Sequence, residues 1–353
     1  MKEKKFSRPL HLHVLISFLI LGFSALLAGE NPLSVLAVKD NFYRITGLNL
    51  NVNVTFLVTP EGVLVIDSGT NPVEGQWIIE KIKEKTAKPI KYVVLTHYHF
   101  DHSAGLLGFP KDVTVCAHDQ CRRNISQYNE PRRQYLVQEI LPAQIKECFL
   151  DIETLKKQKS PDVNQKQKEW AYLTRQLEEF KKEKIVCPTI TFEQKLTLWM
   201  GEEKIEILYP GSTHSNCSVL VYIPGQKIII TGDILFNGFV PYIDWKTGSN
   251  TRNWIDCLER LSQWDIDTVI PGHGEPVDKT FFDQQKRFLI DLRAAVQQAI
   301  DKKETLEEMK KNIKMSNYNH LDFQPFLTPD IESVYYELTN EKNKNNDDNG
   351  RPQ

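Results

Sequence analysis

The chain has 353 residues, of which 41% are hydrophobic and 25% charged, enough for one large domain or a domain enlarged by an insertion. Its 44 basic and 46 acidic residues give a formal net charge of −2. Proteins that bind nucleic acid usually have a basic face, so this balance argues against a nucleic-acid partner.

The N-terminal segment has the pattern of an export signal. Residues 1–13 contain three lysines and an arginine, and residues 14–28 are almost wholly apolar. A basic region before an apolar stretch of this length is typical of a signal peptide, so we predict that residues 1–29 direct export to the periplasm or beyond. Leu26 fits the small-residue cleavage rule poorly. The alternative is an uncleaved anchor through residues 14–28, which would be the chain's only contact with a membrane.

Alternating strand and helix patterns predict one main domain over residues 38–300. Short runs of β-type residues predict strands, and apolar residues at three- and four-residue steps predict helices. The predicted strands span residues 42–45, 53–59, 63–67, 90–96, 112–117, 190–192, 196–199, 205–209, 218–223, 227–231 and 268–270, and the helices span residues 73–85, 253–264 and 281–300. This alternation predicts an α/β fold with helices packed outside sheets.

Residues 122–184 interrupt that alternation. Charged residues dominate there, and the apolar residues recur at helical spacing. Pro142 and the turn residues 160–162 break the pattern, so we predict a helical insertion in the form of a hairpin. Its apolar stripe could pack on the flank of the domain, form a wall or lid over a functional site, or contact a second copy of the chain.

The C-terminal part is predicted to contain a helical extension and a tail. In residues 301–339, Thr328 and Pro329 suit the first positions of a helix. Residues 340–353 are rich in Asn, Lys and Asp and poor in apolar residues, which predicts disorder. The six cysteines of the chain would permit disulfides after export, but their pairing stays open.

A cluster of metal-binding residue types follows the apolar run at residues 90–95. Three histidines and one aspartate fall within six residues: His97, His99, Asp101 and His102. Imidazole nitrogen and carboxylate oxygen are the ligands that Zn²⁺ takes. His97 and His99 alternate, so a loop that continues the strand would direct both the same way, and Asp101 and His102 elsewhere. One loop could supply two neighbouring metal ions; the alternative is a polar surface loop that happens to be rich in histidine.

Three further candidate ligands follow or close apolar β-type runs. His214 lies in GSTHSN, Asp233 closes KIIITGD, and His273 lies in PGHG. A rigid scaffold presents ligands at strand ends, where glycine lets the backbone approach closely. Taken singly, each histidine could equally be an exposed loop residue. Cys217, three residues after His214, is expected to be a small buried residue rather than a ligand.

The chain contains, in this order, the motif HxHxDH, a later histidine, a Gly-Asp pair and a final Pro-Gly-His-Gly. This succession of motifs resembles that of the metallo-β-lactamase superfamily, over about residues 42–277. The resemblance implies an α/β (α+β) fold, a four-layer αββα sandwich with a helical insertion. It also implies two Zn²⁺ ions. The first would be bound by His97, His99 and His214, the second by Asp101, His102 and His273, and Asp233 would bridge them.

The resemblance also assigns a supporting residue and leaves the metal open. Asp67, at the end of a predicted strand, matches an aspartate that lies beside the metals and fixes the orientation of their ligands. Iron or manganese would suit five imidazoles and two carboxylates almost as well as zinc.

The resemblance implies hydrolysis of a small-molecule substrate. Two Zn²⁺ ions would lower the pKa of a bridging water from about 15.7 toward about 7, and the resulting hydroxide would attack. Asp101 is the candidate catalytic residue because it could orient that hydroxide. Tyr98 and Phe100 are expected to pack and so to shape the loop. We therefore expect an exported dinuclear zinc hydrolase that cleaves an ester, thioester, lactam or lactone bond.

Other activities stay open. A β-lactamase proper would usually have Cys or Ser in place of Asp233, and its commonest class a lysine where this chain has Phe236. A glyoxalase II-like thioesterase would have a second histidine shortly after His214. A nuclease or phosphodiesterase of the superfamily is disfavoured by the near-neutral charge. Outside enzymes, the alternative is a non-catalytic metal-binding protein of the cell envelope.

Overall fold

The structure, a computed structural model, describes residues 32–348, with side chains described as far as Asn340. The predicted export signal at residues 1–29 and the last five residues of the predicted tail therefore lie outside the described residues. Within residues 32–348, every helix is too short or too polar to cross a membrane.

The first sheet has seven strands that lie side by side in chain order. Neighbours are antiparallel from the first strand to the fourth, and parallel from the fourth to the seventh. The strands are β1 (Ser34–Lys39), β2 (Phe42–Thr46), β3 (Val54–Thr59), β4 (Gly62–Ile66), β5 (Ile90–Val94), β6 (Thr114–His118) and β7 (Ile190–Phe192). β1 was not predicted, because it is a largely exposed edge strand and lacks a clear apolar alternation.

The second sheet has five strands in the order β12-β11-β10-β9-β8. Its strands are β8 (Lys195–Met200), β9 (Glu203–Leu208), β10 (Leu220–Ile223), β11 (Ile228–Phe236) and β12 (Thr268–His273). All neighbours are antiparallel except β11 and β12, which run parallel. The C-terminal halves of these two strands bring Asp233 and His273 close together.

Helices connect many of the strands in the chain order. They are α1 (Pro72–Lys83), α2 (Phe100–Ser103), α3 (Asp119–Asn124), α4 (Glu130–Tyr135), α5 (Leu141–Lys157), α6 (Val163–Lys182), α7 (Thr251–Ser262), α8 (Phe281–Asp301), α9 (Leu306–Asn312) and α10 (Leu327–Asp348). Short 3₁₀ turns cover Asn49–Asn51, Ala104–Gly108, Pro224–Gln226, Trp245–Thr247, Ser316–Tyr318 and Gln324–Phe326, and π-helical turns cover Ile125–Asn129 and Leu136–Ile140.

The four predicted layers are present. Buried aliphatic residues from both sheets, such as Leu64 and Ile230, pack together in a central cluster between the sheets. On the outer face of the first sheet, Trp77 of α1 belongs to a second cluster. On the outer face of the other sheet, Trp254 of α7 and Phe288 of α8 belong to a third. Burying both faces of two sheets in this way requires helices outside them, which is the αββα arrangement.

The inserted segment is helical from α3 to α6, and α5 and α6 form a hairpin. The pattern is interrupted at Pro142 as predicted, but the chain stays helical: Pro142 lies in the first turn of α5, directly after the π-helical turn Leu136–Ile140, and its missing N–H costs little there. The hairpin packs on the loop of the candidate ligands, residues 96–102 (the metal loop), since Leu173 and Phe180 of α6 share a buried cluster with Phe100. It therefore covers the flank of the domain beside the candidate site.

The C-terminal extension returns to the second sheet. Ile331, Val334 and Leu338 of α10 are buried in the cluster that contains α7 and α8. α9, which was not predicted, begins at a capping box between Thr305 and Glu308. α10 continues to Asp348, past the predicted start of the disordered tail at residue 340. Nucleation is the costly step of helix formation, so a helix that is already established can extend into a polar segment.

Candidate metal centre

The metal loop is fixed where two parallel strands end. Asp67 follows β4 with a φ of 61°, a left-handed conformation that residues other than glycine rarely adopt. Its Oδ1 accepts a hydrogen bond from the backbone N–H of Thr96 at 2.8 Å, and its Oδ2 lies 2.8 Å from Nδ1 of His102. The buried carboxylate thus ties the ends of β4 and β5 together and orients one candidate ligand.

The first group of candidate ligands consists of His97, His99, His214 and Asp233, whose ligand atoms all lie within 4.8 Å of one another. Nε2 of His97 and Nε2 of His214 each lie 3.5 Å from Oδ2 of Asp233. Nδ1 of His99 lies 3.1 Å from Nε2 of His214. Three imidazole nitrogens and one carboxylate oxygen that converge in this way suit one tetrahedral cation.

The second group consists of Asp101, His102 and His273. Asp101 and His102 lie on α2 and, with His273, form a group separate from that of His97 and His99. Oδ2 of Asp101 lies 3.4 Å from Nε2 of His273 and 3.6 Å from Nε2 of His102. This set could hold a second cation beside the first.

Asp233 stands between the two groups. Its Oδ2 faces the histidines of the first group, and its Oδ1 lies 3.1 Å from Nε2 of His102 and 3.4 Å from Nε2 of His273. One carboxylate thus offers one oxygen to each group. Asp233 lies inside β11 rather than at its end, because β11 runs five residues further than the predicted 227–231.

Each of the five imidazoles has a partner for the ring nitrogen that points away from the cluster. Such partners fix the tautomer and the ring orientation of a metal-binding histidine. The contacts are Nδ1 of His97 to Oγ1 of Thr96 at 3.1 Å, Nε2 of His99 to Oδ2 of Asp244 at 3.3 Å, Nδ1 of His102 to Asp67 at 2.8 Å, Nδ1 of His214 to the carbonyl of Tyr242 at 2.6 Å, and Nδ1 of His273 to the carbonyl of Leu50 at 2.9 Å.

The electrostatics of the two groups differ. Burial lowers the pKa of His97 well below its usual value and that of His214 to about 4, so both imidazoles are neutral at neutral pH. In the second group, burial acts in the same direction, but carboxylates led by Asp233 outweigh it. They raise the pKa of His102 well above its usual value and that of His273 to about 10. A bound cation would take the place of these protons.

Two buried atoms support the fit of these residues to metal ions. Among the described residues, Nε2 of His97 and Oδ1 of Asp233 have no hydrogen-bond partner. Buried polar atoms are almost always hydrogen-bonded or bound to an ion, because leaving them unpaired costs desolvation free energy. The unpaired nitrogen belongs to the first group, and the unpaired oxygen faces the second.

Asp244 is a residue of the site that no pattern in the sequence indicated. Burial would raise the pKa of its carboxyl, but His99 lowers it to about 2, so Asp244 is an anion at neutral pH. Its Oδ2 accepts hydrogen bonds from the hydroxyls of Tyr98 at 2.8 Å and Thr247 at 2.5 Å. Asp244 lies in a loop that does not directly follow a strand. It therefore lacked the sequence signal, a position after an apolar β-type run, by which the other carboxylates were recognised.

Replacing Asp244 by asparagine is expected to weaken metal binding by about 10- to 100-fold, the usual effect of losing an outer partner of a ligand histidine. The neutral amide would no longer increase the basicity of His99. The measurement is competitive titration of metal against a chromogenic chelator. The matched control is Asp256→Asn on an exposed position of α7, and an affinity unchanged in both variants would contradict the assigned role.

The other residues singled out in the sequence are buried or packed. Tyr98 and Phe100 are buried, as their packing role requires, and Tyr98 also contacts Asp244. Cys217 is fully buried. The six cysteines, all within the described residues, form no disulfide. Phe236 lies flat against the ring of His273, with centroids 5.5 Å apart and planes 4° apart.

A comparison with protein families assigns the chain. A family model described as the metallo-beta-lactamase superfamily matches residues 48–118 and 163–273. The chain belongs to this superfamily. The unmatched residues 119–162 between the two segments fall in α3, α4 and α5, the first part of the helical insertion.

Relatives of this superfamily member support a hydrolase. A linear primary-alkylsulfatase of Pseudomonas sp. is 23% identical over 226 residues, which are 62% of this chain but only 40% of that protein. A type 2 metallo-β-lactamase of Elizabethkingia meningoseptica is 21% identical over 274 residues, which are 74% of this chain and 88% of that protein. The fold itself is similar to the solved structure of a sec-alkylsulfatase from Pseudomonas sp., with a TM-score of 0.59 at 17% identity, covering 86% of this chain and 50% of that one.

Proposed function

We propose that this protein is an exported dinuclear zinc hydrolase, which cleaves an ester, thioester, lactam or lactone bond in a small-molecule substrate. The observation that carries the proposal is the position of Asp233, whose two oxygens face two separate sets of histidines. A carboxylate shared in this manner suits two cations better than one. Five imidazoles favour zinc among the metals available to such a site.

The residues of the site divide the work of hydrolysis. When bound, two divalent cations supply Lewis acidity and lower the pKa of a water molecule toward about 7. Asp101 is the carboxylate best suited to orient an attacking water, because its side chain is 23% exposed whereas that of Asp233 is only 5% exposed. Asp101 can accept a proton from that water and hold it for the leaving group. The rings of His97 and His214 are fully buried, so bulk water does not reach these two ligands.

Two observations narrow the range of substrates in this proposal. Phe236 offers a ring against His273 where common β-lactamases have a lysine, so that position has no cation for the carboxylate of a β-lactam. The relative named an alkylsulfatase adds a sulfate ester to the bonds that need testing. A carboxylic ester, a thioester, a β-lactam, an acyl-homoserine lactone, an alkyl sulfate and a phosphodiester therefore form the substrate panel.

The proposal of export rests on sequence alone. Three lysines and an arginine lie in residues 1–13, and the apolar stretch at residues 14–28 follows them. Both cleavage and retention as an anchor would deliver the catalytic domain to the outer side of the inner membrane.

Two single substitutions test the dinuclear site. His99→Ala removes a ligand of the first group only, and Asp101→Ala removes a ligand of the second group only. Each is expected to reduce the zinc content of the purified protein from two ions per chain toward one, and to reduce turnover by about 100-fold or more, since a metal contributes several kcal/mol to such reactions. Elemental analysis after dialysis against trace zinc measures the first effect, and the substrate panel the second.

Circular dichroism shows whether the variants are folded, and Asp256→Ala on α7 is the control for loss of an exposed carboxylate. Wild-type protein that binds one zinc ion, or iron or manganese in preference, would contradict the dinuclear zinc proposal. Protein that holds two ions and hydrolyses nothing in the panel would instead favour the non-catalytic metal-binding alternative.

A further inference from the structure

One arginine of the helical insertion lies beside the candidate metal centre. Arg132 belongs to α4, and its guanidinium carbon lies 4.9 Å above the centroid of the Phe100 ring. Phe100 stands between the candidate ligands His99 and Asp101 in the metal loop. The insertion therefore brings a cation to the edge of the site.

Arg132 is half-buried and lacks an anionic partner. Among residues 32–348 its guanidinium makes no hydrogen bond and no ion pair, and the nearby charge of Asp101 only partly offsets the lowering of its pKa by burial. The next residue, Arg133, shows the usual arrangement, with a hydrogen bond at 2.7 Å to Glu130 and another at 2.6 Å to the carbonyl of Phe180. A guanidinium held partly out of water without an anion is costly, unless a ligand supplies the anion.

An aromatic strip, formed by Tyr242, Phe239, Phe326 and Phe323, lies beside the ligand histidines; Phe239 is buried, and the other three rings are half-buried. Tyr242 lies 5.8 Å from the ring of His99, and Phe239 lies 6.1 Å from the ring of His273. The strip continues onto the C-terminal extension through Phe326, 5.2 Å from Tyr242, and Phe323, 5.1 Å from Phe239. Phe100, which Arg132 covers, directly follows His99, and the ring of His99 lies 5.8 Å from Tyr242, so the arginine and the strip flank the same stretch of the ligand loop.

We propose that Arg132 binds an anionic group of the substrate, a carboxylate or a sulfate, while the aromatic strip holds an apolar group of the same molecule. The planar guanidinium matches both anions, because it can donate two parallel hydrogen bonds to a pair of oxygens. The inference rests on the proposed function and names the substrate class of that site.

Binding tests this inference without turnover. Heptanoate, hexyl sulfate and hexanol have the same six-carbon alkyl chain and differ in the head group, which is anionic in the first two and neutral in the third. Calorimetric titration of the zinc-loaded protein is expected to give about 10- to 100-fold tighter binding of the anions than of hexanol, the usual gain from charge-assisted hydrogen bonds. Arg132→Gln should lose most of that difference, and Arg132→Lys should keep part of it.

Arg123→Gln, which removes an exposed arginine from the neighbouring helix α3, is the control and should bind as wild type does. Equal binding of anions and hexanol by wild-type protein would overturn the inference. So would anion binding that Arg132→Gln leaves unchanged, because the anions would then bind the metals or another residue.

Kinetics separate this inference from the proposed function. The mono-4-nitrophenyl ester of glutaric acid and the 4-nitrophenyl ester of valeric acid have the same chain length, and only the first carries a free carboxylate. Arg132→Gln is expected to lower kcat/KM by about 10-fold or more for the glutarate, mainly through KM, and to change it by less than about two-fold for the valerate. Loss of equal size on both esters would overturn the inference.

Sulfate release from hexyl sulfate, abolished in Arg132→Gln, would identify the anion as a sulfate ester. Selective loss of glutarate hydrolysis would identify it as a carboxylate. If the wild-type protein hydrolyses none of these substrates, the proposed function fails, and the binding titrations still decide the role of Arg132.

Discussion

Replacing Asp233 by alanine is expected to remove both metal ions and to reduce turnover by at least about a thousand-fold. Its two oxygens are the only candidate ligand atoms that face both groups of histidines in the described structure. Without cations, water returns from a pKa near 7 to about 15.7, so hydroxide becomes scarce at neutral pH. The substitution removes one ligand oxygen from each cation, and this loss should weaken the binding of both cations.

The measurement is zinc content per chain by elemental analysis, with turnover of the substrate identified in the panel. Asp233→Asn retains the shape of the side chain, so it separates loss of charge from loss of packing in this buried position. Asp256→Ala serves as the exposed control, and circular dichroism reports folding. Two zinc ions per chain in the folded alanine variant would contradict the bridging role.

The candidate ligands could be predicted because metal chemistry restricts residue type and because strand ends restrict position. His97 and His99 alternate after a single apolar run, which predicts that they share one direction. The structure gives a physical reason why the next two ligands differ. His97 and His99 lie before α2, whereas Asp101 and His102 lie within its single turn.

The partners of those ligands could not be predicted in the same way. The carbonyls of Leu50 and Tyr242 hold two of the imidazoles, and a carbonyl is present at every residue, so no side chain signals it. Asp244 reaches His99 from 145 positions away in the sequence. Such contacts depend on how loops cross above the sheets, and periodicity within one element carries no information about them.

The helical insertion shows both what the sequence could predict and what it could not. Its helical spacing predicted the hairpin of α5 and α6, because apolar side chains on one face must be buried. The same pattern did not reveal the π-helical turns Ile125–Asn129 and Leu136–Ile140 on either side of α4. Each π turn adds a residue to the helical repeat and rotates the helix beyond it, so the direction of Arg132 could not be predicted from the sequence.

Replacing Gly272 by alanine is expected to disturb the site through the backbone. A Cβ atom at this position would lie 2.0 Å from Oδ1 of Asp233 and 2.8 Å from the carbonyl carbon of Gly232. Neither distance is tolerable, so β12 must move away from β11 or the carboxylate must turn. Overpacking of this kind costs about 1–3 kcal/mol of unfolding free energy. A turned carboxylate would add a loss of metal affinity to that cost.

Thermal unfolding with and without zinc distinguishes the two responses. Ligand binding stabilises a protein by RT ln(1 + [L]/Kd), so a thousand-fold weaker affinity removes about 4 kcal/mol of the gain that zinc gives. Gly225→Ala is the control, because the nearest atom to its Cβ is the flexible end of Glu203. We expect Gly272→Ala to lose most of the thermal gain and Gly225→Ala to keep it. If Gly272→Ala keeps the full stabilisation by zinc, β11 and β12 must have moved apart without displacing Asp233. Close packing of β11 on β12 would then not be what fixes the bridging carboxylate.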